Sequence, residues 1–160
     1  TVVYLRFKTD AGALASWTAF YDFMFNRARR DEMAATFGPE CHHFALWPAL
    51  DVQPADWIVD KTRYSAFVPG CCDLHERLQG AGIDTLIITG TLTNCCCEST
   101  ARDAMQRDYR VIFVSDGNAA LNDAEHNATL GNMAALFADV MTAGQVVAAC
   151  AAASSARQAA

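Results

Sequence analysis

An unbroken apolar strand leads straight into three consecutive cysteines and out again into a helix, and this succession constrains the chain more than any other feature. Thr85 to Thr89 is centred on Leu86-Ile87-Ile88 and lacks polar alternation. That pattern suits a strand of a parallel sheet covered on both faces. Gly90-Thr91-Leu92-Thr93-Asn94 and Cys95-Cys96-Cys97-Glu98-Ser99-Thr100 follow, and then the helical pattern Ala101-Arg102-Asp103-Ala104-Met105. The cysteines are therefore expected at a strand-to-helix turn, in the first turn of the helix, where backbone N–H groups have no intrahelical partner. Such groups favour a thiolate and hold a developing oxyanion, which suits a cysteine attacking a carbonyl carbon. The alternative is that three small apolar residues pack a helix start, since free cysteine is often buried and inert.

The rest of the chain alternates strands with helices. Strands are expected near residues 2–7, 57–60, 84–89, 110–115 and 139–142. Residues 8–16 read as a loop. Trp17 to Arg30 reads as one helix with Phe20, Phe23 and Met24 on one face, and with Arg27, Arg29 and Arg30 near its negative end. Gly38 to Gln53 is irregular. Asp73 to Gln79 reads as a helix stopped at Gly80 and Gly82. Cys97, Ala101, Ala104 and Met105 fall on one helical stripe, which makes Cys97 core, while Cys96 lies about a quarter-turn away. Asn122-Asp123 caps a helix from Ala124 to about Ala138. A last helix spans Gln145 to Ala153, with residues 154–160 expected to fray. The pattern gives a three-layer α/β/α fold with a mostly parallel sheet, in a single domain over residues 1–160.

Composition excludes several function classes. A net charge of −6 offers no basic patch for phosphates, so a nucleic-acid partner is not expected. No apolar run approaches the roughly 20 residues of a membrane span, so no membrane partner is expected. Thr1-Val2-Val3-Tyr4 opens on a strand pattern, and no secretory signal is expected. Seven cysteines is an odd number, and five of them adjoin another cysteine. That argues against a disulfide scaffold and for a reducing cytoplasm.

The stretch from Lys61 to Val140 resembles the isochorismatase-like cysteine hydrolases. The matching pieces are Lys61-Thr62-Arg63-Tyr64-Ser65-Ala66-Phe67, Asp73-Leu74, and Gly82 through Gly90. After these come Thr93 through Ala104, Val111 through Asp116, and Glu125 through Leu130. Within that family the chain is similar to the ureidoacrylate amidohydrolase and N-carbamoyl amidase branch. The resemblance implies a nucleophile at Cys96, by its place in T-N-x-C before a small residue and E-S-T. It implies an oxyanion hole from the backbone N–H groups of Leu92 and Cys96, and a cis peptide between Thr91 and Leu92. It makes Lys61 the catalytic lysine, able to lower the thiol pKa and stabilise transition-state charge. An isolated lysine at a strand end would otherwise read as an exposed one. Tyr64, Phe67 and Asn94 are candidate substrate-binding residues, and the two aromatics equally suit a core.

The third member of the family's triad is an aspartate ending the first strand, in a context resembling V-I-D-x-Q. No residue here stands in that context. Asp10 and Asp116 follow strands without it, and the role is not transferred to them. The chain begins at what should be the family's second strand. It is expected to be a piece of a longer protein, the alternative being a catalytically incomplete relative. Cys41-His42-His43 lacks the D-x-H pattern by which some relatives bind a metal, and neither a metal nor a cofactor is expected. Cys71-Cys72 with His75 reads as a helix start, His126 as packing, and Asp116 as a structural hydrogen-bonding residue.

The expected function is hydrolysis of the C–N bond of a small linear amide or a carbamoyl or ureido compound. It would proceed through a Cys96 thioester, release ammonia, and take place in a homo-oligomer. A non-catalytic family member and a redox-reactive thiol protein are the competing classes.

Overall fold

The computed structural model describes residues 1–158, with side chains described through residue 156. The chain forms two compact units, residues 1–74 and residues from 75 onward.

In the first unit, β1 (Val3–Phe7) pairs in parallel with β2 (Trp57–Lys61), with Phe7 opposite Lys61. The segment read as a loop holds a short helix, α1 (Ala11–Ser16). Its cause is local: the Asp10 carboxylate accepts the Ala13 N–H at 2.8 Å and supplies an N-cap. That hydrogen bond, with Lys8 beside it, holds the Asp10 carboxyl below the usual carboxylate range.

The expected helix from Trp17 to Arg30 is broken in two. Ala19–Met24 forms a wide π-helical turn, and α2 (Arg27–Phe37) starts afresh where the Asn26 side chain accepts the Arg29 N–H. The wider turn moves Phe23 and Met24 off the face that Phe20 buries: Phe20 is 2% exposed and Phe23 is 87% exposed. The three arginines accordingly sit in the first turn of α2, not at a helix end. Arg29 pairs with Glu32 one turn on, and Arg30 with Asp22. Phe20, Tyr21 and Ala13 form the core, with Trp17, Phe25, Met33 and Tyr64 against it.

The second unit carries β3 (Thr85–Thr91), β4 (Arg110–Ala119) and β5 (Asp139–Met141), all parallel in the order β3-β4-β5. Among the described residues the strands pair as a two-stranded and a three-stranded sheet, and every pairing is parallel, as expected of the α/β fold. α3 (Leu74–Gly80) ends in a left-handed Gly82, after which the Ile83 N–H returns to the Leu78 carbonyl. α4 (Glu98–Gln106) follows β3, with Ala101 and Ala104 fully buried. α5 (Asp123–Asn132) is capped by Asn122, as its sequence predicts, and ends in a π-turn over Met133–Phe137. α6 (Ala143–Gln158) runs beyond Ala153; residues 159 and 160 lie outside the described residues.

β3 is not covered on both faces. Ile87 is 46% exposed, and Thr89 through Thr91 are exposed. Among the described residues β3 pairs with β4 alone.

Candidate active site

The cysteines follow the carboxyl end of β3. Gly90 has φ of 124°, a conformation that only glycine adopts without strain, and the pairing with β4 shifts register there. β4 makes an excursion between Phe113 and Asn118. The Asn118 amide donates to the carbonyls of Ile88 (3.0 Å) and Val114 (2.6 Å) and so closes it. Asp116 on that excursion accepts the Ala143 N–H at 2.7 Å, at the start of α6. Its work is structural, as its sequence context suggests.

The peptide between Thr91 and Leu92 is cis. The cysteines then lie in a π-helical turn, Thr93–Cys97, ahead of α4 and not in the first α-helical turn. Cys97 and Cys95 both donate their N–H groups to the Leu92 carbonyl, at 3.2 and 3.1 Å. A π-turn projects its residues wider than an α-turn does, and such turns recur at functional positions. Cys97 is buried against α4, as its stripe predicts, and Cys95 and Cys96 are half-buried.

Three side-chain links fix this turn within the second unit. Thr93, fully buried, meets His126 Nδ1 at 2.9 Å. Asn94 donates to Glu125 at 3.1 Å. Glu98 accepts from Arg102 at 2.6 and 3.0 Å and from Thr129 at 2.8 Å. His126 is therefore a support of the cysteine turn and not only packing. Next to it, Ser115, Asp116, Asn118, Asn122, Asp123 and His126 line an open concavity of about 260 Å³.

Lys61, Tyr64 and Phe67 all belong to the first unit. Lys61 ends β2 and is only 3% exposed. Its ammonium donates to the carbonyls of Arg63 and Tyr64, both at 2.8 Å, and lies 5.4 Å from the Phe7 ring centre. The next two carbonyls, Ser65 and Ala66, accept the thiols of Cys71 and Cys72. Four successive carbonyls thus hold one lysine and two cysteines, an arrangement with no signature in side-chain spacing. The Tyr64 ring packs edge-on to Trp17 and Phe20, with centroids 5.0 and 5.3 Å away, and Phe67 is buried. Both aromatics therefore serve the core of this unit.

Elsewhere, the His42 and His43 rings lie 3.7 Å apart. Among the described residues, no group of three or more His, Cys, Asp or Glu side chains is placed to hold a metal. No helix among them is long and apolar enough to cross a membrane.

Residues 1–145 match the Isochorismatase domain, and the chain belongs to that family. It is 43% identical over 83 residues to nicotinamidase 3 of Arabidopsis thaliana, covering 52% of this chain and 41% of that protein. It is 38% identical over 95 residues to the ureidoacrylate amidohydrolase RutB of Methylobacterium radiotolerans, covering 59% of this chain and 36% of that one. The chain thus spans about two fifths of the length of these curated relatives. Among solved structures, an isochorismatase-like hydrolase from Alkaliphilus metalliredigens superposes with a TM-score of 0.74 at 30% identity, over 92% of this chain and 71% of that one.

Proposed function

We propose that this protein is a cysteine-dependent amidohydrolase acting on a small linear amide or a carbamoyl or ureido compound. The observation that carries the reading is the placement of Cys96. It is half-buried in a wide turn at the carboxyl end of a parallel strand, in a family whose named members include a nicotinamidase and ureidoacrylate amidohydrolases. Clefts of parallel α/β sheets form at those strand ends.

In this reading the Cys96 thiolate attacks the carbonyl carbon. Charge moves to the oxygen, which backbone N–H groups of Leu92 and Cys96 stabilise. Collapse breaks the C–N bond, the nitrogen takes a proton and leaves as ammonia, and the acyl group stays on sulfur as a thioester. Water then cleaves the thioester and restores the thiol. Lys61 supplies positive charge to the reacting centre, and Asn94 contacts the substrate. Tyr64 and Phe67 shape the wall behind Lys61. The protein works as a homo-oligomer in a reducing cytoplasm. Seven cysteines, five of them next to another cysteine, and the exposed Phe23, Met24 and Trp47 support that part of the reading.

The test is ammonia release from a panel of small amides and ureido acids, with the acyl-enzyme trapped and located by mass spectrometry. Cys96→Ala is expected to keep the native circular dichroism spectrum and to lose about a thousandfold or more in turnover. Normal release by that variant would overturn the reading. Sedimentation at micromolar concentration tests the association, and a monomer there contradicts it.

A further inference from the structure

The pair Cys71-Cys72 is not used by the reaction above, yet its sulfurs are the most deliberately placed thiols in the first unit. We propose that Cys71 and Cys72 form a chelating dithiol site for one soft, thiophilic centre of bent geometry, the class represented by trivalent organoarsenicals. The proposal does not depend on the hydrolase reading.

The geometry comes first. The two Sγ atoms lie 3.7 Å apart. Two bonds of about 2.3 Å, a typical metal–thiolate length, meet across that gap at about 105–110°. That is the angle of a pyramidal or tetrahedral centre. A linear two-coordinate ion would instead need sulfurs about 4.6 Å apart by the same bond length. The sulfurs are also held in advance. Cys71 Sγ has two acceptors within reach of its one proton, the Ser65 carbonyl at 3.4 Å and the Cys72 sulfur at 3.7 Å, and the Cys72 thiol donates to the Ala66 carbonyl at 3.1 Å. The Cys71 backbone is clasped at both ends: its N–H donates to Val68 at 3.1 Å, and its carbonyl accepts from Thr62 at 3.3 Å. A preorganised chelate loses less freedom on binding than two independent thiols.

Access and chemistry agree with the geometry. Cys71 is buried, so entry is through the half-buried Cys72. The Cys72 thiol is drawn down to about 7, chiefly by the hydrogen bond from Cys71, with the Leu74 N–H and the Lys61 ammonium also favouring the thiolate and with burial and then Asp73 opposing it. The same hydrogen bond and burial push Cys71 up. Ionisation of Cys72 gives up its hydrogen bond to Ala66 and turns the one Cys71 proton from Ser65 to the Cys72 sulfur, so at neutral pH the pair offers one nucleophilic thiolate beside one proton donor. On an arsonous acid, R–As(OH)2, the Cys72 thiolate forms the first As–S bond and expels hydroxide, which takes the Cys71 proton and leaves as water. The resulting Cys71 thiolate forms the second As–S bond and expels the other hydroxide to solvent. Arsenic stays trivalent throughout, and no oxidant or reductant is needed.

The experiment is titration of the whole chain with phenylarsine oxide, read by intact mass and by peptide mapping. One arsenical per chain is expected, bridging Cys71 and Cys72, stable to a monothiol and removed by 2,3-dimercaptopropanol. Cys72→Ser and Cys71→Ser should each weaken binding by about a hundredfold, the scale of a lost chelate. The double variant Cys95→Ser/Cys97→Ser should bind as the parent does. If buried Cys71→Ser fails to fold, Cys72→Ser carries the test, with its fold checked by circular dichroism. Absence of an adduct overturns the proposal. So does an adduct that survives Cys72→Ser and disappears in Cys95→Ser/Cys97→Ser.

Discussion

The Oγ1 of Thr93 and the Nδ1 of His126 lie 2.9 Å apart, joining the cysteine turn to α5. Thr93 is fully buried, so solvent does not replace a lost partner on its side of the bond. Thr93→Val keeps the shape and removes the hydroxyl. The group left without its partner is the half-buried His126 Nδ1, beside an open concavity that water can enter, so the expected cost is about 0.5–1.5 kcal/mol, the net worth of one hydrogen bond. Urea unfolding measures it. In a double-mutant cycle with His126→Phe, a coupling energy above about 0.5 kcal/mol is expected. Strict additivity would show that the contact does not fix the turn.

Glu98 is a second anchor of the same turn, and its worth is set by exposure. Its side chain is 15% exposed while that of Arg102 is 34% exposed, so the ion pair alone is partly screened. The Thr129 hydroxyl and the Arg102 guanidinium stacked 4.0 Å from the Phe137 ring centre add to it. Glu98→Gln retains the size and weakens both acceptors. A loss of about 1–2 kcal/mol is expected, seen as a lower urea midpoint at unchanged slope. A change below about 0.3 kcal/mol would mean that the network adds nothing beyond packing.

Much of this was legible in the sequence, and the failures have physical causes. The apolar run at Leu86-Ile87-Ile88, the Asn122 cap and the Cys97-Ala101-Ala104 stripe each depend on side chains at fixed spacing, and each stands in the structure. The Trp17–Arg30 segment misled because apolar periodicity alone does not distinguish a 3.6-residue turn from a π-turn. The capping role of Asn26 was the local sign of the break. Asp10 was a cap of the same kind. The exposure of Ile87 was not legible, because an apolar run does not say how many neighbours a strand has. The cradle around Lys61 was hidden for a deeper reason: main-chain carbonyls build it, and every residue type has one.

That cradle separates the lysine's chemical role from its structural one. Lys61→Met keeps most of the stem and removes the donor to Arg63 and Tyr64. Two unmet carbonyls cost stability, while a buried ammonium no longer has to be desolvated, so the terms oppose each other. The expected net change is within about 2 kcal/mol by thermal unfolding. Turnover, on the reading proposed above, should fall by about a hundredfold or more, as for loss of one preorganised charge at a reacting centre. Full activity in a folded Lys61→Met protein would remove Lys61 from the mechanism.

The last prediction concerns Cys72 and pH. Alkylation follows the thiolate, so its rate rises as pH passes upward through the thiol pKa and levels off above it. For Cys72 that midpoint is expected at about 7, because Cys71 donates to its sulfur and Lys61 lies near enough to favour the charge. An ordinary cysteine has its midpoint near about 8.5. Cys71→Ala removes the leading cause, and the midpoint should move up. Lys61→Met removes a lesser one, and its upward shift should be smaller. The measurement is the rate of iodoacetamide labelling of the Cys72 peptide from pH 5 to 9, by mass spectrometry on the folded chain. A midpoint near 8.5 in the parent, unmoved by Cys71→Ala, would show that the two thiols do not share a proton. It would also leave Cys72 as an ordinary half-buried cysteine.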